Sequence, residues 1–430
     1  MTVRTFTIVV RLGVLSTLLL GLAAAPRVAF AATTQTAPLR CDGRIATIVG
    51  TPGDDALRGS SGADVIVGLA GDDRILGLGG NDVLCGGEGR DRIEGGLGDD
   101  RVFGQLDRRV PNGDRSNVFD MYGDRVLGGP GDDLIDPGSD TRPAVFREAD
   151  VISFENSRSG VTVDLTRGRA SGEGKDRLVP RGAALVTTRF DDVVTGTPRR
   201  DDIGTGDGDD QVRARGGADL VLLDGPALIG RGGSDTARLG GGQDQSVSLS
   251  GRDRVNGQGG GDIIVDRGRS GDFLNGGVGR DSIDDVFAPE DEQQLVGGPA
   301  NDPGRDELSL ARIGSGRHAG EWDMSTGILT LGPNPAPASV VQQFEESILP
   351  PGVAWVVNGS QRGEAVFVFD GAADLTYHGN GGRDTFFGAR GDDTFDGGAG
   401  RDYAIDMGPG HDVCIDVEKF GAGHGCEVKQ

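Results

Sequence analysis

From Gly50 the chain reads GTPGDDALR, GSSGADVIV, GLAGDDRIL, GLGGNDVLC, GGEGRDRIE and GGLGDDRVF, six units of nine residues with no gap between them. Positions one and four are glycine in every unit, and position six is Asp55, Asp64, Asp73, Asp82, Asp91 or Asp100. Position eight is Leu57, Ile66, Ile75, Leu84, Ile93 or Val102. Four fixed positions over six units exclude a compositional accident. Such a short period belongs to a chain that winds on itself, each turn resting on its neighbours, rather than to one built around a single large core. The lone apolar position between polar neighbours predicts a very short strand with one inward side chain. The glycines permit left-handed backbone and close stacking of turns.

The pattern returns along the chain. After the insertion from Gln105 to Val118, Asp124 and Asp133 resume it, the second in the clean unit GGPGDDLID. A second array carries Asp201, Asp210, Asp219, Asp235, Asp244, Asp253, Asp262, Asp272 and Asp281. It is worn, with Ala237 and Ser246 at the apolar position and Arg199 in place of a position-four glycine. A third array contains Asp384, Asp393, Asp402 and Asp412, with Glu364 and Asp374 read as degenerate leading positions. Between arrays, Asp150 to Phe154 followed by Val163 to Gly168 parallels Asp306 to Leu310 followed by Trp322 to Gly327. Their apolar alternation predicts short strands that continue the winding.

These units resemble the RTX, or haemolysin-type, calcium-binding repeat, whose pattern is G-G-x-G-x-D-x-U-x with U large and apolar. The resemblance implies an all-β fold: right-handed parallel β-roll (β-solenoid) arrays joined by short β bridging segments. It also implies multiple Ca²⁺ ions as cofactor, held by the position-six aspartates and by turn carbonyls in a hard oxygen shell. The metal ligands so expected are Asp55, Asp64, Asp73, Asp82, Asp91, Asp100, Asp124, Asp133, Asp210, Asp219, Asp235, Asp244, Asp253, Asp262, Asp272, Asp281, Asp384, Asp393, Asp402 and Asp412. Calcium between units i and i+2 would pair Asp55 with Asp73, Asp64 with Asp82, Asp73 with Asp91 and Asp82 with Asp100. Stacked carboxylates repel until a cation joins them, so the metal is expected to drive folding.

The organisation expected is a signal peptide (1–31), an N-terminal cap (32–49), array 1 (50–139), a bridge (140–195), array 2 (196–286), a second bridge (287–358), array 3 (359–415) and a C-terminal cap (416–430). Arg4 and Arg11, the apolar run from Leu12 to Ala25 and the small residues Ala29 and Ala31 compose the signal. That run is too short to span a bilayer, so no transmembrane segment is expected in the exported, extracellular chain. The net charge of −24 excludes a general nucleic-acid binder. Glycine supplies 78 of 430 residues and aromatics only 5%, which again argues against one globular core.

The four cysteines, Cys41, Cys85, Cys414 and Cys426, allow three pairings in an oxidising compartment. Nearest-neighbour pairing would staple each end of the repeat region. Cysteine-only zinc binding competes with it but lacks a CxxC spacing.

The chain carries no familiar catalytic signature. HExxH and GxSxG are absent, the glycine-rich run Gly257 to Gly261 lacks a P-loop lysine, and His318, His378, His411 and His424 stand apart. His318 near Glu321 reads as a solvated loop. The function expected is therefore a secreted calcium-binding repeat protein and not an enzyme. A surface adhesin or structural spacer is the alternative, and a hydrolase with its site in a bridge the weaker one. Calcium is the one partner expected from the residues, with any cell-surface or matrix partner unknown.

Overall fold

The computed structural model describes residues 38–105, 123–138, 149–224, 232–268, 271–287, 293–299, 305–312, 318–331, 338–350, 353–368, 374–388, 390–421, 425–426 and 428–429. The segment expected to be a signal peptide, the 106–118 stretch of the insertion and Pro333 to Pro337 lie outside these residues. Among the described residues there are 43 strands and no helix.

Nine residues per unit and one inward side chain dictate the arrangement. Successive units fall alternately into two parallel sheets, so each strand pairs with the strand two units away. One sheet aligns Leu57, Ile75 and Ile93, and continues through Val126 and Ile152. The other aligns Ile48, Ile66, Leu84 and Val102, and continues to Ile135. The position-eight side chains from Ile66 to Ile135 are completely buried, forming one core between the two sheets. This is a parallel β-roll.

The same ladders run on through the connecting segments. Val151–Ser153 pairs in parallel with Ala184–Val186, which hands the sheet on to Asp202–Gly204. The opposite sheet crosses residues 162–178 by an antiparallel meander of Thr162–Asp164, Arg169–Ser171 and Lys175–Leu178. Residues 318–342 repeat that device with His318–Asp323, Ile328–Leu331 and Ala338–Gln342. The sequence likeness of the two segments is thus a likeness of fold. In each, an aspartate accepts turn N–H groups (Asp164 from Arg167, Asp323 from Ser325) before a left-handed glycine, Gly168 at φ +60° or Gly327 at φ +74°. His318 stands at the start of a strand, not in the loop expected for it, because the parallel pairing with Val353–Asn358 runs unbroken from Asp323 back to it.

Core content changes along the roll. Ala237 and Ser246 occupy inward positions in register with Val255 and Ile264, and both are buried despite their size or polarity. In the third array the inward residues are aromatic: Tyr377, Phe386 and Phe395 stack with centroids 5.0–6.1 Å apart. Both cysteine pairs are joined as the nearest-neighbour reading has them, Cys41 to Cys85 and Cys414 to Cys426, with Cα separations of 5.8 and 5.6 Å.

Candidate metal sites in the turns

Each position-six aspartate sits where a turn re-enters a strand, and the roll stacks these turns into two columns. Within a column the backbone N–H of one aspartate donates to Oδ1 of the aspartate 18 residues on: Asp55 to Asp73, Asp64 to Asp82, Asp73 to Asp91 and Asp82 to Asp100, at 2.8–2.9 Å. The units i and i+2 expected to share an ion are thus stacked on one another, joined by N–H to carboxylate bonds. Across the insertion the columns continue from Asp91 to Asp124 and from Asp100 to Asp133.

In the second array the N–H groups of Asp192, Asp201, Asp210 and Asp219 reach Asp210, Asp219, Asp235 and Asp244. Those of Asp235, Asp244, Asp253 and Asp262 reach Asp253, Asp262, Asp272 and Asp281. In the third, Glu364, Leu375, Asp384 and Asp393 donate to Asp384, Asp393, Asp402 and Asp412. All twenty expected aspartates therefore stand in the two columns. Glu364 leads one of them as expected. Asp374 does not lead the other: Leu375 fills that place, and Asp374 sits one residue outward.

The sequence reading missed the members that lack the glycine pattern. Asp150 and Asp176 receive the N–H groups of Asp124 and Asp133. Gln293, Asp306, Glu345 and Glu418 extend the columns downstream. Asp192 carried a usable signal, standing nine residues before Asp201 in a unit whose glycines are replaced. A second, outer row was also missed. There Oδ1 of Asp54, Asp72, Asp99, Asp132, Asp191, Asp209, Asp374 and Asp392 accepts the N–H of the turn above.

The second carboxylate oxygen separates two kinds of unit. In leading units a hydroxyl residue at position two satisfies it. Thr51 holds Asp55, Ser60 holds Asp64, Thr188 holds Asp192 and Thr197 holds Asp201, each through its own N–H and side chain. In nine inner units among the described residues nothing does. Oδ2 of Asp73, Asp82, Asp100, Asp133, Asp219, Asp235, Asp244, Asp253 and Asp262 is buried without a hydrogen-bond partner. Orphaned buried carboxylate oxygens are costly, and their recurrence at these nine inner turns marks a built site.

The surroundings fit a hard cation. At Gly68 an added Cβ would collide with both Asp73 Oδ2 and the Gly86 carbonyl oxygen, and Gly77 stands likewise between Asp82 Oδ2 and the Gly95 carbonyl. Position one is glycine because those oxygens converge there. The donors are all oxygen, one carboxylate and one main-chain carbonyl per turn, as Ca²⁺ prefers. Burial pushes Asp100 up to about 7 and Asp133 up to about 8, with the donated N–H opposing and the neighbouring aspartates reinforcing the shift. Burial likewise raises Asp235 and Asp253 to about 8. These carboxylates need a positive partner to stay ionised.

The family model of the RTX calcium-binding nonapeptide repeat matches the chain in four copies, over residues 49–84, 80–108, 186–221 and 376–404. The third copy includes the unit of Asp192, in agreement with its place in the column. No curated protein matches the chain. Among the described residues no helix is long and apolar enough to cross a membrane. With its repeats matched and its turns stacked into oxygen-lined columns, the chain is a carrier of RTX calcium-binding nonapeptide repeats folded as a β-roll.

Proposed function

We propose that this is an exported protein whose β-roll is assembled by calcium, each inner turn gaining an ion held by the position-six aspartate and by glycine carbonyls of the stacked turns. The observation that carries this reading is the run of buried, unpartnered Oδ2 atoms at inner turns. A bound calcium ion supplies the positive charge that lets these carboxylates stay ionised and adds its binding free energy to folding. The ligands proposed are the twenty aspartates of the two columns. The leading members Asp55 and Asp64 are the weakest of them, since Thr51 and Ser60 already occupy their second oxygen. The division into arrays 50–139, 196–286 and 359–415 is proposed as a division of calcium load. Export rests on the charged and apolar character of residues 1–31 and on the joined cysteine pairs, which suit an oxidising compartment.

The test compares Asp73→Ala with Asp55→Ala in the full chain by equilibrium dialysis against calcium. Asp73 lies between Asp55 and Asp91, so its loss removes about two ions and raises the calcium midpoint of the remainder, because stacked units are coupled to their neighbours. Asp55→Ala removes at most one. Equal effects, or a wild-type chain that takes up a single ion, would overturn the reading.

A further inference from the structure

In the second array two units depart from the repeat at position one, the position that glycine holds where oxygens converge. Asp266 and Asp285 stand there instead, Asp266 at the end of strand Ile263–Asp266 and Asp285 within strand Ser282–Phe287, directly paired across the sheet. Both are fully buried. Asp266, Asp253 and Asp272 bring carboxylate oxygens within 4.8 Å of one another. Asp285 adjoins Asp266 and Asp272, whose charges act on it, and neither of its oxygens makes a hydrogen bond of normal geometry. Among the described residues no cationic side chain pairs with the four carboxylates: Arg267, next in the chain, pairs with Asp284 at 2.7 Å.

The neighbouring column explains the placement. It runs Asp210, Asp235, Asp253, Asp272 and then Gln293, so the last turn lacks a column carboxylate. Asp285 restores one to the same unit, from position one. In the next strand of the sheet the matching residue is Leu310, and beyond it Leu349 and Val368 fill the equivalent places, while the strand on the other side sets buried Ser248 opposite Asp266, so no neighbouring strand carries a charge there. Two buried acidic residues beside two more carboxylates carry a large desolvation cost, against which the charge of Arg267, already paired with Asp284, acts only in part.

We infer that Asp253, Asp266, Asp272 and Asp285 form a distinct calcium site inside the roll, one that binds its ion ahead of the repeat turns. It rests on the reading of the roll as a calcium scaffold, but its ligands at position one lie outside the repeat pattern. Affinity of all-oxygen calcium sites rises with carboxylate count and rigidity. Four buried carboxylates on two strands and two turns exceed the two carboxylates that a pair of stacked repeat turns offers.

The experiment is equilibrium dialysis of the full chain at stepped free calcium, wild type against the double variant Asp266→Leu, Asp285→Leu. The wild type is expected to take up about one ion at a free calcium concentration on the order of tenfold below the midpoint of the rest. The variant should lose that ion and keep the others, with a higher thermal midpoint in chelator because the buried charges are gone. Asp266→Asn, Asp285→Asn, which preserves shape, should also lose the ion. An early ion retained in either variant, or absent from a wild type that fills its repeat turns normally, overturns this site alone. A wild type that binds no calcium overturns the proposed function with it.

Discussion

The first and third arrays share one backbone plan and differ in what sustains it. In the first, the inward residues are single aliphatic side chains, Ile66, Ile75, Leu84, Ile93 and Val102, and both aspartate columns are unbroken from Asp55 and Asp64 onward. In the third, Tyr377, Phe386 and Phe395 stack in the core, while one column is led by Leu375 and the other by Glu364. An aromatic ring buries more apolar area than an aliphatic side chain and adds about 0.5–1.5 kcal/mol per well-placed pair. The lesson is one of substitution: if calcium assembles the roll as proposed, a coil that buries rings can lose a metal ligand, and one that buries only an isoleucine depends on the cation.

Removing the rings should erase the difference. Phe386→Ala is expected to cost about 3–5 kcal/mol, since the ring is fully buried between Tyr377 and Phe395. Limited proteolysis in chelator should then cut the third array as readily as the first. Unchanged resistance would mean that the rings do not substitute for metal.

A smaller effect comes from pH. Burial raises Asp100 to about 7 in the first array and Asp384 to about 8 in the third, far above the ordinary value of about 3.9. A carboxyl whose folded value is raised contributes stability that is fully present below about pH 4 and is lost as pH climbs through the folded value. In chelator the thermal midpoint should therefore fall between pH 5 and pH 8. In saturating calcium that fall should vanish, because calcium takes the place of the protons. A chelated protein that gains stability as pH rises would contradict the picture of orphaned carboxylates.

The period of nine made the roll, the two-unit pairing and twenty column aspartates legible from sequence alone, because each follows from one residue type at one fixed offset. What stayed hidden had no such offset. Asp176 and Glu345 join the columns only after antiparallel excursions whose lengths no repeat rule sets. The outer row at position five was overlooked because its members alternate with Arg90, Lys175 and Ser234, which supply the N–H and need no particular side chain. Thr51 and Ser60, where the repeat pattern has a second glycine, cap the columns as hydroxyl residues cap helix ends. Leu375 took the place expected for Asp374 because the burial of a leucine outweighs the register of an acidic neighbour that can serve the outer row.

Hydrogen exchange of the full chain, with and without calcium, tests the central claim most directly. With saturating calcium, amides of the strands Arg74–Gly79, Val83–Glu88 and Arg92–Leu97 should be strongly protected, as should those of Thr385–Phe387 and Thr394–Asp396. In chelator the first group is predicted to exchange at nearly unfolded rates while the aromatic strands keep part of their protection. Full protection of the first group without calcium, or loss of the aromatic strands before it, would show that the cation does not hold these coils together.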